Sequence, residues 1–303
     1  MSAKHLRFIA IALAVMLLLW GGSELLSRGS DTVTGSLALP KVAQADVDTI
    51  TIVKGSDTVV LAKQSSTLWS VNGHRAATDA VGELFQAFAD TAHPELVAQA
   101  AASFVRLGVD SAGGRWLRVR HGDKSQLELI LGARGPDYQS AYLRRPGDSH
   151  VYLWRGRLAS VADRAAESWR DKRIAALPAD SIAALDVARG KDRYTLTRAR
   201  GSWTLNGGRT DSAAVARYLD RLKTVTATGF AAPAALDSAK ARAVRRLTVR
   251  GGHGVLLTLA FDSTASGFLV HHLAGRGGEG ATVYRMNFGD VDGLTPASRS
   301  LKK

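Results

Sequence analysis

There is no cysteine among the 303 residues of the chain. Disulfides, thiolate metal sites and a cysteine nucleophile are excluded outright. The absence does not identify a compartment, because an oxidising one would leave the fold untouched. The motifs of common enzymes are missing as well. No Gly-x-x-x-x-Gly-Lys-Ser/Thr loop is present to cradle phosphates, and no His-Glu-x-x-His pair to hold zinc. A Gly-x-Ser-x-Gly elbow is also absent. Gly132-Ala133-Arg134-Gly135 reads as a short turn between strands and lacks the context of a dinucleotide site. Glutamate is sparse, and Asp79, Asp110, Asp148 and Asp211 sit where turns and helix caps place aspartate. The sequence therefore calls for no cofactor, and a carboxylate-dependent hydrolase is the least favoured class. The eight histidines are dispersed. His271 and His272 are adjacent on an expected strand, so they point to opposite faces, and only a fortunate pairing would bring His253 near one of them as a metal ligand.

The formal charge is +13. Residues 1–30 hold Lys4, Arg7 and Arg28 against Glu24, so the remainder carries +11. The basic residues are scattered, with no run of five; Arg144–Arg145 and the trio Arg242, Arg245 and Arg246 are typical clusters. That pattern reads as a solvated basic surface and gives no nucleic-acid footprint. The charge still favours anions, so an anionic glycan- or lipid-binding module stands as the alternative function.

What is present begins at the N-terminus. Phe8 to Trp20 reads FIAIALAVMLLLW, without charge or proline. Residues 6–26 reach the length a hydrocarbon core requires once Arg7 and Glu24 are tolerated at the ends. The run has no polar face, unlike a soluble helix. Lys4, His5 and Arg7 precede it, which keeps the N-terminus cytoplasmic. A cleaved signal peptide is the competing reading, but Ser23-Glu24-Leu25 is a poor site and Ala43-Gln44-Ala45 lies too far downstream. Residues 1–26 are thus expected to be a cytoplasmic stub and single-pass anchor, and residues 27–45 a polar tether with Pro40. The bulk of the chain is expected outside the cytoplasm.

The second signal is a duplication. Leu68-Trp69-Ser70-Val71-Asn72-Gly73 matches Ser202-Trp203-Thr204-Leu205-Asn206-Gly207 at a separation of 134 residues. At that separation Thr78 aligns with Ser212, each placed as a helix N-cap. Val81, Leu84, Phe85 and Phe88 align with Val215, Tyr218, Leu219 and Leu222, one apolar stripe in the same phase. Strands are expected at Val47–Val53 and Thr58–Ala62, with counterparts at Ile182–Ala188 and Tyr194–Thr197. Trp116–Arg120 then resembles Arg246–Arg250 at a separation of 130, leading to Leu127–Leu131 and Val255–Phe261. The hairpin Ala141–Leu143 with Val151–Leu153 corresponds to Phe268–Val270 with Val283–Arg285. The expected fold class is α+β: two tandem repeats, 46–177 and 178–303, each β-β-β-α followed by antiparallel strands. A helix over about 157–170 closes the first repeat. Trp69 and Trp203 read as core anchors.

These residues carry a family resemblance. The strand Val47–Ile52, the Trp69 strand with its Asn72-Gly73 turn, and the helix from Thr78 to Asp90 resemble the DUF4340 family of bacterial envelope proteins. Arg106-Leu107-Gly108-Val109-Asp110, Leu129 to Gly132, Tyr142-Leu143, Val151-Tyr152-Leu153 and Trp169-Arg170-Asp171-Lys172 continue the likeness. It covers residues 46–175 well and the second half weakly; there Asp237 is the remnant of the family's Tyr-Gly-Leu-Asp pattern, which Leu107-Gly108-Val109-Asp110 resembles in the first half with Leu before the Gly. The resemblance implies an exported accessory protein, often accompanying ABC-type transport systems of the gliding-motility kind, and carries over no catalytic residue. The expected function is accordingly non-enzymatic: a membrane-anchored scaffold that binds a protein partner. Trp169, Arg170, Asp171 and Lys172 are the candidates for a partner or inter-repeat contact, with Trp169 in phase with an apolar stripe and the charged residues at its end.

Overall fold

The computed structural model describes residues 37, 39–90, 94–137, 139–231, 243–275 and 282–303. The anchor at residues 6–26, the tether before Leu37 and Asp237 lie outside the described residues. Among the described residues no helix is long and apolar enough to cross a membrane. Contacts divide the chain into two compact units, residues 1–58 with 84–163 and residues 59–83 with 164–303.

The fold is β-rich α+β, as the alternating runs predict. Strands β1 (Thr49–Lys54), β2 (Asp57–Lys63), β3 (Trp69–Val71) and β4 (His74–Arg75) precede helix α1 (Thr78–Phe88). Next come β5 (Glu95–Ala98), the one-turn helix α2 (Phe104–Leu107) and strands β6 (Arg115–His121), β7 (Lys124–Arg134), β8 (Ser140–Arg144) and β9 (Val151–Arg155). Helix α3 (Leu158–Ala162) and β10 (Arg173–Ala175) follow. The series then recurs with β11 (Ala184–Arg189), β12 (Asp192–Ala199), β13 (Ser202–Leu205), β14 (Gly208–Arg209) and helix α4 (Ser212–Leu222). It continues through β15 (Val225–Thr226), β16 (Gly229–Phe230), β17 (Arg245–Gly251), β18 (Gly254–Thr264), β19 (Gly267–Gly275), β20 (Val283–Met286) and helix α5 (Phe288–Leu294).

Two nine-stranded sheets have one strand order. The first runs β4-β3-β2-β1-β6-β7-β8-β9-β5, the second β14-β13-β12-β11-β17-β18-β19-β20-β16. The register repeats as well. Leu117 faces Leu129 and Val119 faces Leu127; Leu247 faces Leu259 and Val249 faces Leu257. Each hairpin has a register shift at the same place, after Val119 and after Val249. The turns agree in detail. Asn72 and Asn206 both have φ of 48°, and the glycines after them have φ of 82° and 81°. The Asn72 side chain accepts from Val60 N at 2.8 Å, and that of Asn206 accepts from Thr195 N at 2.9 Å. Asparagine tolerates the left-handed region and supplies the acceptor that holds the turn.

Apolar residues at every second strand position fill the core. In the second sheet Leu185, Val187, Leu247, Val249, Leu257, Leu259 and Phe261 pack with Val215, Tyr218 and Leu222 of α4. Trp69 is buried, whereas Trp203 packs half-buried against this core.

Several expected elements differ. The expected helix over 157–170 is broken: α3 ends at Ala162, Ala165 is extended, and a separate 3₁₀ turn spans Ala166–Trp169. The break falls at Asp163 and Arg164, whose side chains leave the helix to pair with Arg115 and Glu83. Gly132–Arg134 is not a turn but the end of β7, since the strand runs on to Arg134. The cap of α4 is Asp211, not Ser212; its carboxylate accepts from Ala213 N and Ala214 N. Arg144 is not part of a solvated surface. It is 7% exposed, donates from Nε to the Val109 carbonyl at 2.7 Å and lies 4.2 Å over the Phe104 ring. Burial lowers the pKa of its guanidinium.

Candidate interaction site

The segment Trp169–Lys172 is held by backbone bonds from both directions along the chain. Ala77 N donates to the Trp169 carbonyl at 2.8 Å, and Asp171 N donates to the Arg75 carbonyl at 2.9 Å. Ala227 N donates to the Lys172 carbonyl at 2.8 Å. These bonds make the segment a short irregular strand against residues 75–77, with Ala76 bridging Arg170.

Its side chains have different roles. Trp169 is completely buried, and the Arg164 guanidinium lies 5.6 Å from its ring centroid. The Asp171 carboxylate pairs with Arg75 and with Arg173, each at 3.3 Å. Arg170 lies with its guanidinium carbon 3.6 Å from the centroid of the Phe230 ring, a cation–π stack. Its Nη2 lies 3.1 Å from His74 Nδ1 and donates to Thr282 Oγ1 at 3.4 Å. A guanidinium can only donate, so His74 Nδ1 is the acceptor in this contact.

Arg170 borders an open cleft of about 430 Å³. Asn72, His74, Glu167, Phe230, Ala231 and Arg285 are among the residues that line it with Arg170. Glu167 Oε1 accepts from Arg285 Nη2 at 3.1 Å and from Phe230 N at 3.2 Å. Gly229 permits this approach, since a Cβ there would overlap the Glu167 carboxylate. The cleft thus combines an aromatic face, two guanidinium groups and one carboxylate on a fixed backbone. Arginine stacked on an aromatic ring, with a polar rim, is the composition that carries energy at protein–protein contacts. Sequence reading selects Arg170. It gives no sign of Phe230, Glu167 or Arg285, which lie 60, 3 and 115 positions away along the chain.

The other sequence candidates are dispersed. His253 occupies the turn between β17 and β18, while His272 faces Leu259 and His271 faces Ala260 further along. His271 Nε2 is 3.0 Å from Asp262 Oδ2 without the angle of a hydrogen bond. Among the described residues no three of His, Asp and Glu gather as a metal site would require.

The topology defines a class, the β-rich α+β protein with two nine-stranded antiparallel sheets of one strand order. Residues 67–244 match the domain of unknown function DUF4340, more than half of the chain, and the chain belongs to that family. The match starts within the β2–β3 connection, so it leaves out the Val47–Ile52 strand, and it extends past α4, well beyond residue 175. Neither a curated protein nor a solved structure matches the chain.

Proposed function

We propose that the protein is a non-enzymatic, membrane-anchored accessory or scaffold component of a transport-type envelope complex, and that the cleft beside Arg170 receives a protein partner. The observation that carries the reading is the Arg170–Phe230 stack beside the Glu167–Arg285 pair. Such a surface suits an extended peptide segment that brings its own carboxylate. The apolar run at residues 6–26 supports a single-pass anchor in a bacterial inner membrane, with Lys4 and Arg7 holding the N-terminus in the cytoplasm and the bulk in the periplasm. The common strand order supports two tandem repeats, 46–177 and 178–303. The resemblance to envelope proteins that accompany ABC-type transporters supports the class of partner.

The test is affinity capture of the full chain from gently solubilised, crosslinked membranes. Wild type is expected to retain a discrete partner that Arg285→Glu loses, since Arg285 is 55% exposed and its change spares the core. Recovery of wild type alone would overturn the proposal.

A further inference from the structure

The two sheets repeat an ion-pair cluster at one corner, and only one copy is filled. In the second, Arg189 of β11 faces Arg245 of β17. Like charges opposite one another repel, and here one carboxylate answers both: Asp292 pairs with Arg189 at 3.1 Å and with Arg245. Thr295 adds an acceptor to Arg245 at 3.1 Å. Two rings close the corner. Phe268 lies under the Arg245 guanidinium at 4.9 Å, and Phe288 meets Phe268 edge-on with centroids 5.5 Å apart.

The register identifies the same positions in the first unit. Arg245 faces Phe261, as Arg115 faces Leu131, so Arg115 stands for Arg245. The β1 register, Ile52 with Leu117, places Lys54 opposite Arg115, where Arg189 faces Arg245. Phe268 faces Met286, as Ala141 faces Trp154, so Ala141 stands for Phe268. The first unit keeps both cations, pairs Arg115 with Asp163, and has the methyl of Ala141 where the second has the Phe268 ring.

The result is a cavity of about 370 Å³ lined by Lys54, Arg115, Arg134, Ala141, Gly156, Ser160 and Asp163, among others. Three cations line it against one carboxylate, an excess of two positive charges. Arg115 is largely buried, with 15% of its side chain exposed, and is fixed by Asp163. The size is that of a small-ligand pocket.

We propose that this corner is a binding site for a phosphomonoester group. Two arginine forks and a lysine provide bidentate and point-charge donors for its oxygens. The charge excess matches a group that carries nearly two negative charges above its second pKa of about 6. The second unit fills the same corner with its own side chains and does not bind. The site shares no residue with the Arg170 cleft, so the two proposals fail separately.

The phosphate has two sources, a soluble phosphoester and a phosphatidate headgroup, and the test separates them. Calorimetry would titrate inorganic phosphate and glycerol 3-phosphate into the full chain in nonionic detergent at fixed ionic strength. A parallel arm would offer phosphatidylcholine vesicles with and without phosphatidic acid. One saturable site is expected. Lys54→Ala and Arg134→Ala should each weaken it about tenfold, the loss of one charge-assisted contact. Ala141→Phe, which restores the ring of the second unit, should abolish it, with thermal unfolding confirming that the variant is folded. Arg189→Ala should leave binding unchanged. Binding in the soluble arm assigns a soluble phosphoester; binding to phosphatidic acid vesicles alone assigns the headgroup. Absence of binding in both arms, or binding that survives the three first-unit substitutions, overturns the proposal. So does equal weakening by Arg189→Ala.

Discussion

Replacing the two turn asparagines tests the duplication at single-residue level. Asn72 and Asn206 share a φ of 48°, and each side chain accepts one backbone N–H, at 2.8 Å and 2.9 Å. Alanine at either site must hold the left-handed conformation, at about 1 kcal/mol or more, and loses a bond of about 1 kcal/mol. Asn→Ala should therefore cost about 2 kcal/mol. Asn→Gly loses the bond but adopts φ > 0 freely, so about 1 kcal/mol is expected. For units of this size each kcal/mol moves the melting temperature by about 2–4 °C. Thermal unfolding of the full chain in nonionic detergent, followed by tryptophan fluorescence, should give the order wild type, glycine, alanine at both positions. An alanine variant more stable than its glycine partner would refute the reasoning, as would a response at one turn and silence at the other.

Trp169→Ala should be among the most damaging single substitutions, at about 3–5 kcal/mol, because the side chain is fully buried; a urea midpoint close to wild type would contradict that placement. Tyr218→Phe should cost about 1–3 kcal/mol by leaving the buried Leu294 carbonyl without the donor now 2.9 Å away, again read from urea unfolding. The Asp90 carboxyl is held below its usual pKa chiefly by its hydrogen bond from Arg157. A depressed carboxylate pKa adds stability above the unfolded value of about 3.9 that is lost as pH falls through the folded value. Asp90→Asn should therefore destabilise the protein at neutral pH and narrow its gap to wild type in acid; a gap constant with pH would show that Asp90 ionises alike in both states.

The sequence made the repeated elements legible because two periodicities and a turn recur together. Alternation marks β1, β6, β11 and β17, the apolar stripe marks α1 and α4, and Asn-Gly fixes the turn between β3 and β4. What it missed has specific causes. β4, β14, β15 and β16 are two residues long, too short for any period to register. β5 is Glu-Leu-Val-Ala at an exposed edge. Thr210, Asp211 and Ser212 are three cap formers in a row, and only the geometry selects Asp211. Arg144 lies beside Arg145 in an ordinary basic pair, so nothing local marks its burial. The Arg170 cleft depends on Phe230 and Arg285, distant residues brought in by β16 and β20. The filled and open corners were hidden because the hairpins drift in spacing; strand register aligns Ala141 with Phe268.

The most direct measurement on the proposed partner role is site-specific photocrosslinking of the full chain in its own membrane. One photoreactive residue would replace Ala231, which lines the Arg170 cleft, and a second would replace Val255, which is 48% exposed on β18 and is not among the residues lining that cleft. The account predicts a discrete protein adduct from position 231 that is missing from position 255 and that disappears with Arg285→Glu. The same adducts from both positions, or none from 231, would contradict it.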